Sequence, residues 1–275
     1  MSANLHRALD AAIPMLKTIR QGVKTPPKAS SAALEKLRQL ARAIPPAPQP
    51  AQVPQPAEKS APALELEPAG GWTMDSLRTA VIACERCPHL VASRTQVVFG
   101  VGNPEADLVF VGEAPGADED EQGEPFVGLA GQLQTKIILA MGFQREDVFI
   151  ANVLKCRPDM PSGVSGNRKP KPAEMATCLP WLSEQIALVK PRAIVALGAV
   201  AAEGLLGLTS PLRDLRGRWH EFQGVPVMVT YHPAYLLRNQ SLSEKRKVWE
   251  DMLLVLEKLG KKITAKQRAF FTAPA

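Results

Sequence analysis

Histidine is scarce in this chain: His6, His89, His220 and His232 are all there are in 275 residues. Imidazole chemistry therefore has four candidates. Aromatic residues make up only 5%. No apolar run approaches the roughly 20 residues that a membrane span needs, and the N-terminus has no apolar signal segment followed by a small-residue cleavage site. The expectation is a soluble, cytoplasmic protein. No glycine-rich stretch ends in Gly-Lys-Ser/Thr and no Gly-x-Gly-x-x-Gly run occurs, which disfavours a phosphate-cradling loop. Cysteine is limited to Cys84, Cys87, Cys156 and Cys178, and without a secretion signal disulfides are not expected.

The net charge of +6 is unevenly placed. Eight basic residues face two acidic ones before residue 43, whereas residues 44–70 are slightly acidic and rich in Pro, Ala and Gln. Such a composition reads as an extended linker. Residues 1–70 are therefore expected to form a largely flexible extension, residues 71–262 a folded domain and residues 263–275 a tail. The domain is nearly neutral overall, so attraction to a polyanion must come from local patches and the basic extension.

The domain is organised around residues 107–131. Leu108 to Val111 form an uninterrupted apolar run, the pattern of a strand buried on both faces, and Gly112 ends it. From Glu113 to Glu124 follows a stretch with four glutamates and two aspartates, read as a loop. Further apolar runs predict strands over 148–154, 193–197 and 225–230. Helical patterns lie between them, over 129–141, 172–189 and 199–206, and flank them over 72–83 and 243–259. Strands alternating with helices imply a three-layer α/β/α sandwich around a mostly parallel four-stranded sheet. Ligands in such sheets bind beyond the carboxyl ends of the strands. Glu113, Asn152 and His232 each fall at or just past such an end, on three different strands, and Pro233 holds His232 in an extended or turn conformation.

Cys84-x-x-Cys87 with the distant Cys156 and Cys178 could make a four-thiolate site assembled by the fold. Spacing alone leaves zinc and an iron-sulfur cluster both open. The loop from Lys155 to Lys171 carries Lys155, Arg157, Arg168, Lys169 and Lys171 against Asp159, and Leu236, Leu237 and Arg238 follow His232. Cations beside an apolar wedge suit an enzyme that flips a base out of a duplex.

In combination these residues resemble the iron-sulfur uracil-DNA glycosylases of family four. The matching residues are Gly112 to Gly116 with Glu119-Asp120, Gly123, Pro125 to Gly128 and Ala130-Gly131, then Asn152 to Pro158, Cys178, and His232-Pro233-Ala234. The resemblance covers residues 72–259 and implies a uracil-DNA glycosylase-like fold and excision of uracil from DNA in base excision repair. It implies that the four cysteines hold a structural 4Fe-4S cluster, and that Gly112 and Ala114 offer backbone groups to the base. Phe126 would stack on the base and Asn152 would read its amide edge, while Glu113 and His232 carry the catalysis. Glu119 is the alternative holder of the attacking water. The stretch 160–166 looks longer than the family's usual spacing, and with no histidine between Cys156 and Cys178 turnover is expected rather than covalent capture. Lys155, Arg157, Arg168, Lys169, Leu236 and Arg238 are the expected DNA contacts. Uracil-containing DNA is the expected partner, no membrane is involved, and a monomer is the default. The competing reading is a non-catalytic four-cysteine module that binds nucleic acid or a protein.

Overall fold

The computed structural model describes residues 71–160 and 166–272. The expectations for residues 1–70, and for most of the long 160–166 stretch, lie outside the described residues. Helix α1 (Met74–Ile82) begins at Thr73, whose hydroxyl accepts the Ser76 N–H, as a threonine at a helix start should. After it come α2 (Pro88–Val91), β1 (Val101–Gly102), β2 (Leu108–Gly112), α3 (Ala117–Gln122), α4 (Leu129–Met141) and β3 (Phe149–Asn152). The chain continues through α5 (Pro172–Val189), β4 (Ala193–Leu197), α6 (Ala199–Leu206), α7 (Leu212–Leu215), β5 (Trp219–Phe222) and β6 (Val225–Thr230). It closes with α8 (Pro233–Arg238), α9 (Leu242–Lys258) and α10 (Ala265–Arg268).

The sheet has six strands in the order β1-β3-β2-β4-β6-β5, not the four expected. Its inner four are the predicted ones, and all their pairings are parallel. The two additional strands pair antiparallel at the edges. Neither carries a strand signature: β1 is two residues long and ends in glycine, and β5 mixes His220 and Glu221 into a partly exposed run.

Side chains alternate across the central strands and so feed two cores. Val109, Val111, Ala151, Ile194, Ala196, Val227 and Val229 pack against α5 and α6. Leu108, Phe110, Ile150, Val195 and Met228 face the other way, against α4 and α9. This is the expected three-layer arrangement. A third cluster, with Leu77, Leu90, Phe99, Leu154 and Trp181, joins α1 and α5 around the cysteines. Residues 263–272, read in the sequence as a tail, include α10. Trp249 Nε1 donates to the Gln267 carbonyl at 2.5 Å, and the Phe270 ring lies 5.1 Å from that of Trp249. Among the described residues no helix is long and apolar enough to cross a membrane.

Candidate active site and cysteine centre

The parallel register sets the strand ends side by side. Gly112 is the partner of Asn152, and Leu197 the partner of Thr230. Beyond the last residues of β2 and β3 the pairing persists: Val153 and Leu154 donate to the carbonyls of Gly112 and Glu113 at 3.0 and 3.1 Å. Glu113 and Asn152 are thereby held on one rim.

Glycine at 112 is a requirement of close approach. A Cβ there would lie 2.3 Å from Asn152 Oδ1 and 2.6 Å from Phe126 Cζ. The Asn152 side chain and the Phe126 ring therefore both lie across the end of β2. Phe126 in turn stacks on His232, with centroids 5.6 Å apart and planes 28° from parallel. Gly112, Asn152, Phe126 and His232 thus form one continuous set of contacts, with Glu113 next along the chain.

Each polar member has a distinct electrostatic state. Asn152 is 2% exposed as a residue, and among the described residues no protein group hydrogen-bonds its side-chain amide. The amide's polar atoms are not among the fully enclosed ones, which leaves them open to a ligand. Burial raises the pKa of Glu113 above the ordinary carboxylate value, and the cation of Lys169 partly opposes the rise. Burial pushes His232 down to about 4, with Arg238 adding to the effect. His232 Nδ1 accepts the Ala234 N–H at 3.1 Å, so the neutral ring carries its proton on Nε2 and presents a donor there. His232 is extended at φ −64° and ψ 140°, as the following proline predicts.

The acidic stretch is not the plain loop the sequence suggests. It contains α3, three of whose first residues, Asp118, Glu119 and Asp120, are acidic and favour a helix N-terminus. The carboxylate of Glu119 accepts the backbone N–H groups of Gly116, Val127 and Gly128 at 3.1 to 3.2 Å. Asp120 is buried and accepts Thr95 N–H. These two carboxylates shape the segment. That of Glu113 has no protein donor among the described residues.

The expected DNA contacts divide. Lys155 is 1% exposed, with its Nζ donating to the Asn152 carbonyl at 3.0 Å and to Gln185 Oε1 at 2.5 Å. It cannot reach a phosphate. The guanidinium of Arg168 is held by Asp159 and by the buried Glu174, which also meets His89 at 2.8 Å, so Arg168 is committed within the loop. Leu236 is on the buried side of α8, and Leu237 is the exposed leucine instead. Arg157 is partly exposed, and Lys169 and Arg238 are exposed.

All four cysteines line a single small cavity, together with Val81, Leu90, Leu154, Trp181 and Arg94. Three donors point at their sulfurs: Arg94 Nη1 at Cys156 (3.0 Å), the Lys155 N–H at Cys178 (3.3 Å) and Trp181 Nε1 at Cys84 (3.4 Å). Burial raises the thiol pKa of Cys87 and Cys156 and takes Cys178 up to about 12. Four such thiols, with N–H donors aimed at sulfur, suit a thiolate-bound metal centre, whose charge compensates the thiolates. Among the described residues, no three of these sulfurs all lie within 4.8 Å of one another. Tetrahedral zinc, with Zn–S bonds of about 2.3 Å, would need sulfurs roughly 3.8 Å apart.

Sequence reasoning missed the supports. Gln185 sits among Cys178, Leu182, Ile186 and Val189 on the buried face of α5, and Asp251 lies between Trp249 and Met252 in α9. Asp251 accepts from Thr230 Oγ1 at 2.6 Å and from Arg216 Nη2 at 3.0 Å, anchoring the end of β6 that delivers His232. In both cases the signal was a polar residue on an otherwise apolar helical face.

The fold is thus a mostly parallel α/β sheet with Glu113, Asn152 and His232 at the carboxyl ends of its strands, together with a cavity lined by four cysteines. The sequence model of the Uracil DNA glycosylase superfamily matches residues 99–253. The chain is 44% identical over 182 residues to the Type-4 uracil-DNA glycosylase of Thermotoga maritima, covering 65% of this chain and 91% of that protein. It is 39% identical over 198 residues to that of Archaeoglobus fulgidus, covering 69% and 95%. A Type-5 uracil-DNA glycosylase from Pyrobaculum aerophilum is 30% identical over 199 residues, covering 60% and 84%. The chain belongs to the uracil-DNA glycosylase superfamily, in its type-4 branch.

Proposed function

We propose that the chain removes uracil from DNA by hydrolysing its N-glycosidic bond, leaving an abasic site, as a step of base excision repair. The observation that carries this reading is the side-chain amide of the buried Asn152, which has no protein hydrogen-bond partner among the described residues, on the rim it shares with Glu113. Its oxygen suits uracil N3–H and its nitrogen suits O4. Cytosine presents the opposite pattern, and its entry would leave buried polar groups unpaired at about 1 to 3 kcal/mol each.

As the bond between deoxyribose C1′ and uracil N1 breaks, its electron pair leaves with the base and positive charge builds on the sugar. The Nε2–H of His232 donates to uracil O2, and one such preorganised donor contributes roughly 3 kcal/mol. A neutral imidazole suits this role because it donates without first needing a proton. The Glu113 carboxylate faces the sugar cation and takes a proton from the water that adds to C1′. Glu113 is assigned here in preference to Glu119, whose two oxygens are already occupied by three backbone donors. Phe126 covers the face of the base. Gly112 and Ala114 offer it backbone groups. Arg157, Lys169 and Arg238, with Leu237 as the apolar wedge, meet the DNA.

Cys84, Cys87, Cys156 and Cys178 would hold a 4Fe-4S cluster, whose chemistry here is to cross-link α1, the segment after β3 and α5. The test is incubation of the purified protein with an oligonucleotide carrying one uracil, followed by alkali. Strand breakage at the uracil, absent when thymine replaces it, is the expected result. An unbroken strand that the protein nevertheless binds would favour the non-catalytic module.

A further inference from the structure

Lys155 follows the strand that ends in Asn152 and precedes Cys156. Its ammonium is fully enclosed, and among the described residues its hydrogen-bond acceptors are two neutral oxygens, Asn152 O at 3.0 Å and Gln185 Oε1 at 2.5 Å. Gln185 is itself 0% exposed, and its Nε2 donates to Phe99 O at 2.9 Å. The backbone of Lys155 is fixed as well: its N–H donates to Cys178 Sγ at 3.3 Å, and its carbonyl accepts Val98 N–H at 2.8 Å.

Placing a lysine here is expensive, because an enclosed ammonium without a carboxylate keeps little of its hydration energy. Burying methionine would satisfy packing without that penalty. Thiolates at Cys178 and Cys156 offset part of that cost, and of the two oxygens the ammonium bonds, one is the carbonyl of the residue whose side chain reads the base. Among the described residues the Asn152 side chain has no protein hydrogen bond to orient it, so its direction depends on a backbone held from behind.

We infer that Lys155 is a positioning residue for base recognition: together with Gln185 it clamps the Asn152 peptide so that the Asn152 amide meets uracil in the productive orientation. The inference rests on the reading of Asn152 as the uracil-binding residue. The clamp also shares Lys155 with the cysteine centre, so the base-reading amide and the Cys178 sulfur are tied through a single residue.

The test is a double-mutant cycle on single-turnover uracil release with the parent, Lys155→Met, Asn152→Ala and the double variant. Iron per chain and visible absorbance are measured on each. Expected are losses of about tenfold or more in each single variant and a double variant within about threefold of Asn152→Ala, since the clamp then has no amide to orient. Iron content stays at the parental level. Lys155→Met should also narrow the preference for uracil over cytosine, which a general loss of stability would not do. Multiplying losses in the double variant, with iron retained, would overturn the inference. Parental activity in Asn152→Ala would overturn it too, by removing the reading on which it rests, and is distinguishable because that single variant alone reveals it. Should Lys155→Met not accumulate as folded protein, Gln185→Leu, which leaves every cysteine contact intact, carries the same cycle with the same two outcomes.

Discussion

The rings of Phe126 and His232 lie one over the other, 5.6 Å between centroids, and the backbone carrying Phe126 is left-handed, with φ 58°. That conformation is costly for a phenylalanine. It is held by Glu119, which accepts the next two N–H groups, and by Arg145 Nη2, which donates to Pro125 O at 2.6 Å. Gly131 completes the support, since a Cβ there would lie 1.7 Å from Phe126 O. Gly131→Ala must therefore move backbone. Activity should fall at least about tenfold while iron content is retained, and parental turnover would show that the Phe126 conformation is dispensable.

At Gly112 the same reasoning reaches the amide. An added methyl would meet Asn152 Oδ1 at 2.3 Å and displace it. Gly112→Ala is expected to lose as much kcat/KM on uracil-DNA as Asn152→Ala, and Asn152→Asp is expected to reduce discrimination against cytosine. Unchanged preference in purified Asn152→Asp would remove the amide from the recognition step.

The proposed mechanism places the acid limb of activity on Glu113. Its pKa is raised and in that mechanism it works as the carboxylate, so activity should fall as pH drops through a value above the ordinary glutamate value of 4.5. His232 stays neutral until about pH 4 and contributes no limb above that. Lys169 lowers the Glu113 pKa, so Lys169→Met should move the limb to higher pH. A pH–rate profile of kcat/KM for parent and variant decides it, and a shift toward acid would contradict the assignment.

His232 also links stability to pH. Its folded value of about 4 lies below the unfolded one, so the unfolded chain binds the proton more readily. The folded state keeps its full stability above about pH 6.5 and loses it progressively as pH falls toward 4, by roughly 3 kcal/mol for this group alone. Denaturant unfolding of parent and His232→Leu across that range should show a shallower acid loss in the variant.

Asp251 is 1% exposed and holds both Thr230 and Arg216. Asp251→Ala leaves the Arg216 guanidinium without its carboxylate and should cost about 3 to 5 kcal/mol. Urea unfolding measures it, and a change below about 1 kcal/mol would mean that water replaces the carboxylate.

The four inner strands were legible because each is a short, continuous apolar run, the signature of burial on both faces. The edge strands were not, since β1 has two residues and β5 alternates only weakly. That Glu113, Asn152 and His232 fall at the carboxyl ends of separate strands was legible from position alone. Lys155 was misread because its neighbour Arg157 and the loop beyond are basic. Its burial depends on Gln185, thirty positions along the chain, and nothing local announces such a partner. Leu236 and Leu237 differ by which side of a six-residue helix they occupy, which the sequence fixes only once α8 is known to pack on α4.

The most direct measurement is single-turnover release of free uracil from DNA by the parent, Glu113→Gln and His232→Ala, alongside DNA binding by each. The account predicts release by the parent, losses of about a hundredfold or more in both variants, and binding within a few-fold of parental. Release at the parental rate in Glu113→Gln, or no release by the parent itself, would contradict it.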